Sequence, residues 1–203
     1  MTVITVAYFA VLPLARWGPM FHVFRLEQPD VTLSWRATEF PPAGRPLLAG
    51  ADVGLCLHPP PRQGLASVTL DASPLCVVMA AGHRLARHHE LEVADVLAEP
   101  FPGGPHLDPE WVGFWTLDEC RDGPAACTDD DVRNAQQWLE IIASGRAIGT
   151  APASMIDGLA HPGIVGIPLR EGPQATTALV WAADDDRPAV QSLVGLARAW
   201  SHY

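Results

Sequence analysis

The stretch LLAGADVGLCL, residues 47–57, contains two apolar runs that are separated by Gly50 and Asp52. Glycine just past the last helical residue is a common helix stop, and an aspartate tolerates the tight turn that follows. The stretch therefore predicts a short helix that ends at Gly50 and a buried strand over residues 53–57. A helix joined to a strand by two residues is the connection expected in an open α/β sheet.

The β/α alternation extends in both directions from this stretch. The order up to residue 57 is β-α-β-α-β, so right-handed crossovers make this part of the sheet largely parallel. The alternation of Val31, Leu33 and Trp35 with polar residues places the second strand near a sheet edge. The patterns predict strands at residues 2–9, 31–36, 53–57, 75–80, 147–150, 164–169 and 176–182, and helices at 13–27, 93–97, 134–144 and 188–200.

Two segments of the second half are harder to interpret. Residues 101–127 are rich in proline and glycine but also in aromatic residues, which favours an ordered loop with a short helix beside a cavity. The helix at 134–144 can begin at Asn134, with Gln137 three residues later as in a capping box. Thr128 with Asp131 offers a competing start one or two turns earlier, and the sequence leaves both open.

Composition excludes some classes of function. The 203 residues carry 13 basic and 23 acidic side chains, a formal charge of −10, which opposes binding to a phosphate backbone. No run approaches the ~20 apolar residues of a membrane span, and Pro13 and Arg16 interrupt the apolar start too early for a signal peptide. We therefore expect a cytoplasmic protein that does not associate with membranes.

The sequence offers little support for an enzyme, a metal site or a cofactor. Cys56 and Cys76 lie in apolar runs, and none of the four cysteines forms a CxxC pair, so we expect reduced thiols. The eight histidines lack zinc spacing, and residues 129–131 lack the pattern of a calcium loop, which favours a solvated acidic turn or a helix cap. No nucleotide-binding or nucleophile motif is present, so no cofactor is expected.

A binding site is better supported, because ligands of open α/β sheets settle beyond the carboxyl ends of the strands. Each aromatic residue there is equally compatible with core packing; only their joint position at strand ends favours a pocket. The candidate residues are Phe9, Ala10, Val11, Thr38, Phe40, Leu57, His58, Phe101, Pro102, Gly103, Gly104 and Thr150.

Five segments together resemble the effector-binding domain of LysR-type transcriptional regulators. They are TVAYFAVLPL (5–14), FRLEQPDVTL (24–33), LLAGADVGLCL (47–57), PLCVVMAAGHRLA (74–86) and ASGRAIGTAPASM (143–155). The resemblance implies an α/β fold of the type 2 periplasmic-binding-protein kind, with two Rossmann-like lobes joined by crossing hinge strands near 77–80 and 176–181. Lobe I would comprise residues 1–74 and 178–203, and lobe II residues 75–177.

The resemblance also implies a function. A small-molecule effector would bind in the cleft between the lobes, close them and rearrange a homodimer or homotetramer. DNA would be contacted only through a helix-turn-helix domain that this chain lacks, which makes the chain a fragment or a stand-alone relative. Many relatives have Ser or Thr where this chain has Ala10, and the candidate residues include no Arg or Lys. We therefore expect an apolar or aromatic effector.

Two alternatives share the same fold. A transport-type solute-binding protein would need a signal peptide or a lipid-anchor cysteine, and neither is recognisable in the sequence. An enzyme such as a deaminase or dehydratase would need a titratable group at the cleft, and Glu39 and His58 are the only candidates there.

Overall fold

The computed structural model describes residues 2–41, 43, 47–159 and 161–201, without the side chains of residues 157 and 159. Short 3-10 helices lie at Leu14–Arg16, Arg84–Arg87, Asp118–Cys120 and Ala153–Leu159. The other elements, in chain order, are β1 (Thr2–Phe9), α1 (Gly18–Glu27), β2 (Val31–Thr38), β3 (Val53–Leu57), β4 (Leu65–Ala80), β5 (Leu91–Glu92), α2 (Val93–Val96), α3 (Pro109–Trp115), α4 (Ala135–Ala143), β6 (Gly149–Pro152), β7 (Ile164–Arg170), β8 (Gln174–Ala182) and α5 (Pro188–Trp200).

The chain divides into two compact units. Unit 1 comprises residues 1–38, 45–72 and 176–203, and unit 2 comprises residues 39–44 and 73–175. The strands β4 and β8 each begin in one unit and end in the other. The sequence-based boundaries, 74/75 and 177/178, lie two residues from these positions, but residues 39–44 group with unit 2 and not with the first stretch. The assignment to lobes stays a prediction.

Unit 1 is built on a sheet with the strand order β2-β1-β3-β8. The strand β1 is parallel to β2 and β3, and β8 is antiparallel to β3. The predicted parallel pairing and the predicted edge position of β2 are therefore confirmed. Ile4 and Val6 of β1 are almost completely buried, whereas Trp35 of the edge strand is 41% exposed.

Two predicted helices of unit 1 differ from the structure. The helix predicted from Pro13 is interrupted, and α1 begins only at Gly18. Proline lacks an amide hydrogen and fits only the first turn, so Pro19 fixes where the α-helix can start. Residues 47–50 form turns in place of a helix, with positive φ at Ala49 and Gly50. Residues 42 and 44–46, where that helix would begin, lie outside the described residues.

Unit 2 centres on β4, which pairs antiparallel with β6 and β7, while β5 is parallel to β7. The strand β4 starts ten residues before its predicted first residue and continues through Pro74, whose carbonyl accepts a hydrogen bond from Ser73 Oγ at 3.3 Å. The strand predicted at 147–150 is shifted to 149–152. The helix α4 begins at Ala135 with Asn134 as its N-cap, whose side chain accepts the Gln137 N–H at 3.1 Å, so the earlier start at Thr128 is wrong.

Among the described residues, none of the helices combines the length and the hydropathy that a membrane span requires.

Candidate functional site

The predicted site residues of unit 1 lie at the ends of three parallel strands. Phe9 is paired in register with Thr38, so β1 and β2 end side by side. The backbone continues this contact, because the Ala10 N–H donates to the Thr38 carbonyl at 3.3 Å. Thr38 Oγ1 donates to the Tyr8 carbonyl at 3.1 Å. Phe9 is buried, Val11 is half-buried and Ala10 is exposed.

Leu57 and His58 close the third of these strands. Leu57 is 8% exposed and is paired with Thr177 of β8. His58 has φ +41°, the left-handed region, which ends the strand. Because β3 is parallel to β1, its carboxyl end lies at the same edge of the sheet as Phe9.

Phe40 is held by unit 2, not by the strand that precedes it. Its N–H donates to the Arg133 carbonyl at 3.1 Å, and the Asp108 N–H donates to the Pro41 carbonyl at 2.9 Å. The Phe40 ring lies 5.1 Å from the ring of Trp111 on α3. Thr38 and Phe40, two residues apart, are therefore fixed to different units.

The predicted loop 101–104 is backed by a second segment of unit 2. Phe101 is 1% exposed, and its backbone exchanges hydrogen bonds with residues 126 and 128 on both sides of Cys127. The Gly103 N–H donates to Thr128 Oγ1 at 3.2 Å, and its carbonyl accepts the Val132 N–H at 3.2 Å. The loop is thus fixed in position by main-chain contacts. Its side chains, apart from Phe101, are small.

Arg121 packs against Phe101 of this loop, and sequence reasoning missed it. Its guanidinium carbon lies 5.4 Å from the centre of the Phe101 ring. Its two terminal nitrogens donate to the carbonyls of Leu97 and Thr116, both at 2.7 Å. No residue pattern indicates a role for Arg121, because its hydrogen-bond partners are main-chain oxygens.

Thr150, the remaining predicted residue, is 4% exposed, and its hydroxyl donates to the Trp115 carbonyl at 2.6 Å. Trp115 lies 5.7 Å from Trp111 and 4.8 Å from Phe114, ring centre to ring centre. Aromatic residues of the 101–127 segment thus form a cluster around a short helix. The predicted short helix is confirmed, and the cavity beside it stays a prediction.

Two of the acidic residues 129–131, Asp130 and Asp131, form ion pairs, and the cap of the helix that follows is Asn134. Asp130 pairs with Arg146 at 2.9 Å. Asp131 pairs with Arg133 at 2.6 Å and with His106 Nδ1 at 2.5 Å. The hydrogen bond from Arg133 holds the pKa of Asp131 below its usual value. Across the described part of the chain, no group of three or more His, Cys, Asp or Glu side chains is arranged to hold a metal ion.

The family model of the LysR substrate-binding domain matches residues 2–201. The chain belongs to this family. LysR substrate-binding domains are the effector-binding domains of transcription regulators, and the family contains regulators and not enzymes, so the enzyme alternative built on Glu39 or His58 does not apply. No curated protein matches the chain in a sequence comparison.

Solved structures of LysR domains share the fold, the type 2 periplasmic-binding-protein fold. The effector-binding domain of BenM with its effector benzoate superposes with a TM-score of 0.72 at 16% identity, covering 100% of this chain and 93% of that one. The effector-binding domain of QuiR in complex with shikimate gives 0.75 at 14% identity, covering 98% and 97%. Full-length CbnR with its target DNA gives 0.70 at 17% identity, covering 99% and 71%. Identities this low establish the fold alone.

Proposed function

We propose that this LysR domain binds a small apolar or aromatic effector through its twelve candidate residues. We prefer this function to that of a transport-type solute-binding protein of the same fold. The observation that carries the proposal is the family match over almost the whole chain. The strand ends of unit 1 and the loop 101–104 of unit 2 support it, because main-chain hydrogen bonds hold both and the candidate residues there include no Arg, Lys, Asp or Glu. BenM and QuiR bind benzoate and shikimate respectively, which are small organic molecules.

The charges near loop 101–104 favour an apolar ligand. Arg121 is bound to two carbonyls and the Phe101 ring, and Arg133 is bound to Asp131. The two terminal nitrogens of Arg121 and the paired nitrogens of Arg133 would have to give up these acceptors to bind an anionic ligand, which costs free energy. Phe9 and Phe101 are buried, so the half-buried ring of Phe40 is the one of the three that offers contact area to a planar apolar ligand.

A ligand panel measured by differential scanning fluorimetry and calorimetry tests this proposal. Benzamide and benzoate represent aromatic ligands, and succinate and sulfate represent small anions. A ligand at 100 times its dissociation constant adds about 2.7 kcal/mol to the free energy of unfolding. We expect such stabilisation from an aromatic compound, whereas tight binding of succinate or sulfate alone would overturn the proposal.

Paired variants connect the binding to the candidate site. Phe40→Ala removes the ring that packs on Trp111, and we expect the affinity for the aromatic ligand to fall at least tenfold. Val3→Ala is the matched control, because Val3 is exposed on β1 away from its carboxyl end. Equal affinity of the two variants would place the ligand elsewhere.

We further propose that effector binding closes the lobes and rearranges a homodimer or homotetramer, and that the unit 1 surface around Leu26 and Trp35 meets a second copy. Leu26 is 69% exposed, and Trp35 on the edge strand packs edge-on against Phe21 at 4.7 Å. Apolar side chains exposed beside an unpaired strand edge are typical of an interface. In the parent regulator, DNA is contacted through a separate helix-turn-helix domain, in the cytoplasm.

Sedimentation velocity tests the contact between copies. Leu26→Glu places a charge in the apolar surface, and we expect it to shift the chain towards monomer. His88→Glu places the same charge on exposed unit 2 surface and serves as the control. A wild-type chain that stays monomeric at high concentration would remove this part of the proposal.

A further inference from the structure

The hydrogen-bond ladder between β3 and β8 ends in an unusual way at His58. The last paired residues of the strands are Leu57 and Thr177. The next pair along the ladder would be His58 and Thr176. In a regular antiparallel sheet every second pair exchanges two N–H···O bonds, and the bond from the His58 N–H to the Thr176 carbonyl places this pair at such a position.

Only half of that exchange is made by the backbone. The His58 N–H donates to the Thr176 carbonyl at 2.6 Å. The Thr176 N–H is instead directed at the imidazole, 3.5 Å from His58 Nδ1, a long contact. The side chain of His58 therefore stands in for a main-chain carbonyl at the point where its own backbone leaves the strand.

Thr176 lies at the boundary between the two units. Ala175 is the last residue of β8 in unit 2, and Thr176 is its first residue in unit 1. His58 thus holds β8 at the residue where that strand passes from one unit to the other.

The backbone of His58 is strained at this position. Its φ of +41° lies in the left-handed region. For a non-glycine residue this conformation lowers the equilibrium constant for folding about tenfold. Such residues persist where the surrounding structure fixes them, and they concentrate at ligand sites and hinges. Asparagine and glycine adopt this conformation more readily, yet the chain has a histidine here.

We propose that His58 is a positioning residue of the effector site, whose ring holds Thr176 and fixes where β8 enters unit 1. The inference rests on the proposed function in one respect, namely that the strand ends beside His58 contact the effector.

Amide hydrogen exchange in the ligand-free chain tests the joint directly. His58→Asn keeps a side-chain acceptor and tolerates the left-handed backbone, so we expect exchange at the Thr176 amide within about twofold of wild type. His58→Gly relieves the strain but removes the acceptor. We expect that amide to exchange about tenfold faster while the melting temperature stays equal or rises.

Glu171→Gly is the matched control. Glu171 also has positive φ, +55°, in the turn between β7 and β8, so glycine relieves the same kind of strain there. We expect its melting temperature to change like that of His58→Gly, with unchanged exchange at Thr176. Equal exchange at Thr176 in the Asn and Gly variants, or a rise spread evenly over β8, would overturn the proposal.

Affinity for the probe benzamide separates this inference from the proposed function. We expect His58→Gly to weaken binding at least fivefold and His58→Asn to weaken it less. Equal weakening by both variants would contradict the positioning role. If benzamide and the rest of the panel fail to bind wild type, the proposed function fails, and the ligand-free exchange still decides whether His58 holds Thr176.

Discussion

The carbonyl oxygen of Thr128 lies 2.1 Å from the position that a Cβ atom on Gly103 would occupy. Real Cβ atoms do not approach an oxygen so closely, and here the oxygen belongs to the backbone and cannot rotate away. The same two residues are joined by the bond from the Gly103 N–H to Thr128 Oγ1. Residue 103 must therefore lack a side chain for the candidate loop to rest on its supporting segment.

Gly103→Ala is expected to separate the loop from that segment. We expect the free energy of unfolding to fall by about 1–3 kcal/mol, the usual cost of forcing extra atoms into a packed site. Urea unfolding measures it. Gly195→Ala is the control, because nothing lies within 4 Å of its added Cβ and alanine suits the exposed middle of α5. If Gly103→Ala is no less stable than Gly195→Ala, the segment that carries Thr128 moves aside at little cost in free energy.

The sequence predicted the regular elements whose signals are local. The strands β1 and β3 and the helices α4 and α5 lie within two residues of their predicted bounds, because periodicity and capping residues are read from neighbouring positions. The misplaced elements have signals that mislead locally. The apolar run that predicted a strand begins at Leu75, yet β4 starts at Leu65 and passes through Pro74. Both Pro13 and Pro19 suit the first turn of a helix, and α1 begins at the second of them, later than predicted.

The candidate site was predictable only in part. Parallel strands necessarily bring Phe9, Thr38 and Leu57 to one edge, so their grouping follows from the β/α order. The attachment of Phe40 to unit 2 depends on a bond to the Arg133 carbonyl, 93 residues further along the chain. No residue pattern encodes such a main-chain contact. Which of the twelve residues contact an effector stays a prediction.

Asp52, the acid of the stretch that predicted the fold, is expected to stabilise unit 1. Its carboxylate accepts the Thr5 N–H at 2.6 Å and a bond from Arg187 at 2.6 Å, just before β3 begins. Asp52→Ala leaves the Thr5 N–H without this acceptor, and we expect a loss of about 1–3 kcal/mol in urea unfolding. Asp52→Asn keeps an acceptor oxygen and should lose less. Equal losses would show that only the charge matters.

Acid is expected to weaken the pair formed by Asp185 and Arg187. The hydrogen bond from Arg187 holds the pKa of Asp185 below its usual value of 3.8. The carboxyl group of Asp185 therefore binds a proton more tightly in the unfolded chain than in the folded chain. The contribution of this ion pair to the free energy of unfolding is complete above about pH 4, and it is lost as the pH falls through the lower pKa of the folded state.

Urea unfolding from pH 7 to pH 3 measures this dependence. The difference in free energy of unfolding between wild type and Arg187→Gln should stay constant from pH 7 to about pH 5 and narrow below about pH 4. Arg25→Gln, at an exposed position of α1, controls for the change in net charge. A difference that narrows equally in both variants would assign the effect to net charge.

The four thiols are expected to differ sharply in reactivity. Burial raises the pKa of Cys56 to about 12, so almost none of it is thiolate at pH 8. Cys76 is buried, whereas Cys120 is exposed. Treatment of the native chain with iodoacetamide at pH 8, followed by peptide mass spectrometry, should label Cys120 fastest and Cys56 slowest, by at least a hundredfold. In 8 M urea the labelling rates of the four cysteines should converge, because the difference in reactivity comes from the fold. If Cys56 of the native chain is labelled as fast as Cys120, the strand β3 opens readily and the prediction is wrong.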